Sequence, residues 1–145
     1  MSERAVAGGG SRVGCDVVMV ADVERSMDSF GERYLRRTFT EREVAESAGP
    51  TRGRRLAARF AAKEAVMKVL RPVDDAVPWT SIEVRRASWG GCEIELTGAA
   101  ARLAAREMLG EIQISMSHEG EIAFATAIAT VRDVTNTVSR GEKWA

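Results

Sequence analysis

Residues 54–70 read Arg54-Arg55-Leu56-Ala57-Ala58-Arg59-Phe60-Ala61-Ala62-Lys63-Glu64-Ala65-Val66-Met67-Lys68-Val69-Leu70, and this segment carries the strongest helical pattern in the chain. At helical spacing it predicts one apolar stripe, formed by Leu56, Phe60, Met67 and Leu70. Glu64 falls inside that stripe, so its carboxylate is predicted to face the interior. An ionised carboxylate that is buried without a partner costs several kcal/mol. Glu64 must therefore be protonated, matched by a cation such as Lys68, or bound to a metal.

The chain has the length and composition of one ordinary globular domain. It has 145 residues, of which 45% are hydrophobic and 29% are charged. Its 21 basic and 21 acidic residues balance, so no overall field attracts nucleic acid or a membrane. The two cysteines form no Cys-x-x-Cys motif and the chain has one histidine, which argues against a structural zinc site. We expect a flexible arm over residues 1–11, a single domain over residues 12–131, a polar tail over residues 132–145 and a cytoplasmic location.

The first part of the domain predicts a strand followed by helices. Residues 12–20 are a nearly continuous β-branched run, typical of a strand buried on both faces, with Asp16 in its middle. Asp16 is either a satisfied core aspartate or a functional acid, and the strand alone leaves both open. Residues 22–37 predict one helix with several arginines, which are either simply solvated or dock an acidic protein. Thr40 and Glu43 fit a capping box, which predicts a short helix there.

The second part predicts a hairpin, a helix and two further strands. Arg71-Pro72 ends the long helix, and residues 80–87 and 92–96 alternate around a glycine turn. Thr97 is a predicted N-cap of an alanine-rich helix. In the last strand, alanines at every second position predict a close neighbour, either a helix or another subunit. This order of elements indicates an α+β fold with a mostly antiparallel sheet packed on the long central helix.

Three polar residues, Asp16, Glu64 and His118, interrupt apolar patterns in different elements. Two buried carboxylates that meet would repel, and either a proton or a divalent cation relieves the repulsion. With only two carboxylate ligands, that cation would be Mg²⁺, which accepts phosphates in its remaining positions. Separate salt-bridged acids remain the alternative, and Lys68 fits both an exposed ion pair and a phosphate contact. A lone histidine on an apolar face is more often a core residue than a catalyst.

Three motifs together resemble a known family. They are Gly14-Cys15-Asp16-Val17-Val18, then Arg59-Phe60-Ala61-Ala62-Lys63-Glu64-Ala65 with Lys68, then Ser115-Met116-Ser117-His118 before the alanine-rich strand. In this order they resemble the holo-acyl-carrier-protein synthase group of phosphopantetheinyl transferases, over about residues 13–130. The resemblance implies that group's fold and a magnesium-dependent transfer of the phosphopantetheine arm of coenzyme A. The acceptor would be a serine of an apo acyl or peptidyl carrier protein, and the enzyme would be a homotrimer with sites between subunits.

The resemblance also implies roles for individual residues. Asp16 and Glu64 would bind magnesium, and Glu64 and Lys68 would be catalytic. Arg59, Lys68 and His118 would bind coenzyme A. The proton acceptor for the serine hydroxyl would be either Glu64 or a water bound to the metal. The carrier protein would dock on arginines of the first helical region, namely Arg25, Arg33 and Arg37.

The sequence also departs from the family pattern at two places. Residues 70–79 replace the glycine-rich loop that usually follows the lysine, and residues 90–93 replace the usual Gly-Lys-Pro hairpin turn. These departures indicate a specialised member, serving a polyketide or peptide pathway. They also leave two alternatives, which are a catalytically silent relative that binds a carrier protein or a related subunit, and a magnesium enzyme that acts on a carrier-bound acyl substrate.

Overall fold

A computed structural model describes residues 9–133, which form an α+β fold as predicted. The elements are β1 (Ser11–Met19), α1 (Val20–Phe30), α2 (Glu32–Thr38), α3 (Glu41–Ser47), α4 (Arg52–Leu70), a 3₁₀ turn (Trp79–Ser81), β2 (Ile82–Arg86), β3 (Cys92–Leu96), α5 (Gly98–Arg106), β4 (Gln113–Glu119) and β5 (Ile122–Thr130). Most of the predicted arm and tail, residues 1–8 and 134–145, lies outside the described residues. Within the described part, β1 begins at Ser11, one residue before the predicted domain boundary.

Two antiparallel sheets surround the long helix. In the larger sheet the strand order is β1-β5-β4, and β2 pairs with β3 in a separate hairpin. The inner face of β5 consists of Ala123, Ala125, Ala127 and Ala129, which are 0–2% exposed. On β1, a Cβ added to Gly14 would lie 2.2 Å from the carbonyl oxygen of Ala65 in α4. Of the two predicted neighbours of the alanine face, the helix is therefore the one present within the chain.

The prediction that β1 is buried on both faces is wrong for the single chain. Val13 is 61% exposed, Val17 57% and Met19 44%, and all three lie on the face turned away from α4. Their partners on β5 are Ile128, Phe124 and Ile122, which are also exposed. A continuous apolar run shows only that both faces of the strand are apolar. In the single chain one face of β1 is buried and the other is exposed. We call these six side chains the outer sheet face.

The helices differ from the predicted ones in their ends. Residues 22–37 were predicted as one helix, but Gly31, with φ of 54°, separates α1 from α2. The capping box that begins α3 is confirmed, since Thr40 and Glu43 bond reciprocally. α4 begins at Arg52, two residues before the quoted segment, and ends at Leu70 before a left-handed Arg71. Thr97 lies at the N-cap position of α5, but its side chain makes no capping bond there.

The core contains one ion pair that the sequence did not reveal. Lys63 on α4 and Glu43 on α3 are both 0% exposed, with Nζ and Oε1 2.6 Å apart. The Lys63 ammonium also donates to the carbonyls of Trp79 and Ile82, and Glu43 accepts from the backbone N–H of Val84. The pair therefore joins α3, α4, the 3₁₀ turn and β2.

Candidate functional site

Asp16, Glu64 and Lys68 lie together between β1 and α4. Lys68 donates from Nζ to the carbonyl of Cys15 at 2.7 Å and to Asp16 Oδ1 at 3.1 Å. The Lys68 ammonium thus pairs with Asp16 on the neighbouring strand rather than directly with Glu64 on its own helix. With both acids ionised, the buried Asp16 Oδ2 accepts no hydrogen bond from any residue in the described range 9–133. One oxygen of the cluster is therefore left without a partner.

The two carboxyl groups are close enough to change each other's protonation. Burial, together with a hydrogen bond to Asp16 and the negative charge of Asp16, raises the pKa of Glu64 from 4.5 to about 7. The positive charge of Lys68 opposes this shift but does not cancel it. Since a shared proton would supply the missing partner of Asp16, the pair holds either a proton or a cation near neutral pH.

The donor set fits a hard divalent cation. Asp16 and Glu64 are half-buried carboxylates, one of them with a buried oxygen that lacks a partner, and carboxylate oxygens are ligands that Mg²⁺ prefers. Over residues 9–133 no group of three or more histidine, cysteine or acidic side chains is arranged to hold a metal. A cation here would therefore have Asp16 and Glu64 as its protein ligands and would fill its other positions with water or phosphate oxygens.

The other two residues predicted to bind coenzyme A lie elsewhere. Arg59 and His118 line a cleft of about 510 Å³ between α4, the hairpin turn and β4. Arg59 is only 4% exposed, donates to Glu46 Oε2 at 3.2 Å and has a buried Nε without a partner in the described chain. Further arginines line the same cleft, namely Arg54, Arg55 and Arg86. We call this the arginine cleft. Its strongly positive walls fit a phosphorylated ligand.

The predicted carrier-binding arginines fall into two places. Arg33 and Arg37 of α2 line a cleft of about 330 Å³ together with Phe30 and Tyr34, which we call the α2 cleft. Phe30 is 64% exposed, so this cleft combines positive charge with an accessible aromatic ring. Arg25 lies on α1 in an exposed ion pair with Asp22 and does not line the α2 cleft.

The loop after α4 is held by a salt bridge. Asp75 binds both terminal nitrogens of Arg106 at the end of α5, at 2.6 and 3.3 Å. The sequence identified this loop as unusual but gave no sign of Arg106 as its partner. Reasoning from sequence also missed Tyr34, Arg54, Arg55 and Arg86 as lining residues. Arg54 and Arg55 lie within about one turn of Arg59 on α4, which is a signal that could have found them, whereas Arg86 lies on β2 and the sequence contains no sign of it.

Comparison with known proteins decides the family. The model of the 4'-phosphopantetheinyl transferase superfamily, of the ACPS type, matches residues 12–127. The chain belongs to this superfamily. The resemblance seen in the three motifs is thereby confirmed, and so is the transferase fold.

Curated and solved relatives of this transferase agree. It is 40% identical to the holo-[acyl-carrier-protein] synthase of Desulforudis audaxviator, over 81% of this chain and 90% of the relative. The synthase of Moorella thermoacetica is 41% identical, over 81% and 91%. The crystal structure of the Neisseria meningitidis synthase has a TM-score of 0.72 at 28% identity, covering 81% of this chain and 96% of that one. A complex of the Chronobacterium ammoniagenes synthase with coenzyme A has a TM-score of 0.72 at 27% identity, covering 86% and 99%.

Within residues 9–133, none of the helices has the length and hydropathy needed to cross a lipid bilayer.

Proposed function

We propose that this transferase moves the 4'-phosphopantetheine arm of coenzyme A to a serine hydroxyl of an apo acyl carrier protein. The observation that carries the proposal is the cluster of Asp16, Glu64 and Lys68, in which one carboxylate oxygen lacks a partner and one acid has a pKa near 7. The names of the curated relatives and the solved complex with coenzyme A support the same reaction.

Asp16 and Glu64 are the proposed magnesium ligands. When bound, magnesium would supply positive charge that stabilises the leaving phosphate of the nucleotide. Lys68, whose ammonium is already held beside Asp16 by the Cys15 carbonyl, would stabilise the charge that develops on the transferred phosphoryl group. Asp16 would orient Lys68 through their hydrogen bond. Glu64 would add the second carboxylate that makes the site negative enough to bind magnesium.

The arginine cleft is the proposed site for the phosphorylated nucleotide end of coenzyme A. Arg59 is fixed there by Glu46, and Arg54, Arg55 and His118 also line the cleft. Asp16, Glu64 and Lys68 are not among the residues that line this cleft. In keeping with the family resemblance, one active site would combine the acid pair of one subunit with the arginine cleft of another.

The outer sheet face supports such an assembly, and we propose a homotrimer. Six large apolar side chains on two paired strands are 38–61% exposed and adjacent, and a contiguous exposed apolar patch of this kind marks an interaction surface. The number three comes from the family resemblance. Val17 and Phe124, which are directly opposite each other in the register, are central to this face.

The α2 cleft is the proposed docking site for the carrier protein. Arg33 and Arg37 offer positive charge to an acidic partner, and Phe30 offers an exposed ring that an apolar side chain can cover. Arg25 would extend this surface along α1. The unusual loop after α4 supports a specialised carrier from a polyketide or peptide pathway, and we propose a cytoplasmic location.

Mass spectrometry tests the reaction directly. The protein is incubated with coenzyme A, magnesium and apo carrier proteins from fatty acid and polyketide systems, and gain of the phosphopantetheine mass is expected. Asp16→Ala and Glu64→Gln should abolish the gain while the protein stays folded, whereas Glu95→Gln, in the hairpin ion pair with Arg85, should transfer normally. Normal turnover by either site variant would sink the assignment. Carrier binding without transfer by the unaltered protein would favour a silent binding module.

A further inference from the structure

Glu46, near the end of α3, holds two of the residues that line the arginine cleft. Its Oε2 accepts from the Arg59 guanidinium at 3.2 Å and from the backbone N–H of Arg86 at 3.0 Å. Its other oxygen, Oε1, accepts from Arg42 at 3.1 Å. Because Arg59 lies on α4 and Arg86 on β2, one oxygen atom joins the two elements that carry the cleft arginines. Glu46 itself does not line the cleft, and its hydrogen bonds reach it only through the residues that it holds.

The bond to Glu46 largely determines where the Arg59 guanidinium lies. Arg59 is 4% exposed, and its contact with the Arg55 carbonyl is long, at 3.5 Å. Partial burial raises the pKa of Glu46, but the hydrogen bonds that it accepts, first that from Arg86, lower the pKa more. The net pKa lies below its usual 4.5, so Glu46 is ionised at neutral pH. A buried cation is thus held by a charged acceptor, the strong form of a hydrogen bond.

An acid beside a cleft for phosphates has two effects of opposite sign. Its negative charge repels the phosphates, whereas its hydrogen bonds fix the donors that would contact them. The repulsion is limited here, because within residues 9–133 the guanidinium groups of Arg54, Arg55 and Arg86 form no ion pair and keep the cleft positive. The fixing is favourable, because a donor that is held in place before the ligand arrives loses less conformational freedom on binding.

The inference rests on the proposed function, in which the arginine cleft binds the nucleotide end of coenzyme A. We propose that the fixing effect dominates and that Glu46 is a positioning residue, which holds Arg59 and the backbone at Arg86 in the arrangement that binds the nucleotide phosphates. Glu46 touches no reacting atom. It acts on the affinity for coenzyme A and leaves the chemical step to other residues.

Binding of adenosine 3′,5′-bisphosphate, measured by calorimetry, tests the sign of the effect. Glu46→Ala removes the acceptor and should weaken binding about three- to tenfold, the effect of one hydrogen bond. Glu46→Gln keeps an oxygen that can accept from the same donors and should recover part of the loss. Arg42→Gln is the control, since it alters only the exposed partner of Glu46 and should bind as the unaltered protein does. Unchanged or tighter binding by Glu46→Ala would overturn the proposal.

Steady-state kinetics separate positioning from a merely structural role. Well below the Tm, Glu46→Ala should raise KM for coenzyme A by the same factor and leave kcat and KM for the carrier protein unchanged. A merely structural residue would lower the Tm without changing KM. In the Arg59→Met background the effect of Glu46→Ala should be much smaller, and independent, multiplicative effects would refute action through Arg59. That result would leave the transferase proposal standing, whereas an unaltered protein that neither binds the bisphosphate nor transfers the arm would overturn both.

Discussion

The buried pair of Lys63 and Glu43 allows a sharp test of how this fold is held together. We consider Lys63→Met, which keeps an unbranched chain of similar length and removes the ammonium. The change leaves the Glu43 carboxylate at 0% exposure without its cation, 2.6 Å from the position that Nζ occupied. It also leaves the carbonyls of Trp79 and Ile82 without the donor that both now share.

The expected loss in free energy of unfolding is about 3–5 kcal/mol, the range for removing one partner of a buried ion pair. Two consequences act in opposite directions. The unpaired carbonyls add to the loss, whereas Glu43, whose pKa burial already raises, can relieve its own penalty by taking up a proton. The loss is a large share of the stability of a small domain, which is about 5–15 kcal/mol.

Removing both charges should cost less than the sum of the separate changes. In Lys63→Met with Glu43→Leu no charge remains buried, but the N–H groups of Thr40 and Val84 lose their acceptor. We therefore expect the double variant to be destabilised, and the two single losses to exceed the double loss by about 2 kcal/mol.

Urea unfolding followed by tryptophan fluorescence measures these differences, at one protein concentration because the proposed assembly makes stability depend on it. Lys68→Met is the matched control, since it removes the same group from a side chain that is 56% exposed, and it should cost only about 0–1 kcal/mol. If Lys63→Met costs no more than Lys68→Met, the reasoning about the buried pair is wrong.

Three further predictions concern the acid pair and the surfaces. In metal-free protein the Glu64 pKa is raised from 4.5 to about 7, so its stabilising contribution is fully present below pH 4.5 and is lost as the pH rises through 7. Magnesium should therefore raise the Tm more above pH 7 than near pH 5, and an equal rise at both would contradict the assignment. The phenol of Tyr34, followed by its absorbance, should titrate above 10, and Glu64→Gln should lower that pKa. An unchanged pKa would show that the charge of Glu64 does not act on Tyr34. Val17→Asp should reduce the molecular mass in solution to that of one chain, while Val73→Asp, on a loop residue that is 88% exposed, should leave it unchanged.

Periodicity and local chemistry predicted most elements of the fold. The capping box at Thr40 and the end of α4 before Pro72 depend on neighbours within a few residues, which the sequence displays directly. The stripe predicted for α4 was only partly right, because Phe60, Glu64 and Met67 are half-buried and alanines and valines form most of the buried face. The three motifs also predicted that Asp16, Glu64 and Lys68 meet.

What the sequence could not predict depends on contacts between distant segments. Lys63 lies next to Glu64 and has the same propensity for a helix, so only the packing of α3 and the 3₁₀ turn shows that it is buried. The exposed face of β1 was missed because an apolar run is the same whether its own chain or another subunit covers it. The break at Gly31 depends on one backbone angle, which no side-chain pattern records.

The small side chains between α4 and the sheet limit which substitutions this part of the core can accept. Asp16 has a short side chain, and it reaches Lys68 from β1 only because Gly14 and the alanines of β5 let the helix lie against the strands. A larger residue at Ala125, which pairs with Asp16 in the register, would push the two layers apart and separate the acids as well. Substitutions in this part of the core are thus constrained by the spacing that the chemistry requires, and a variant could remain fully folded and still lose its cation site.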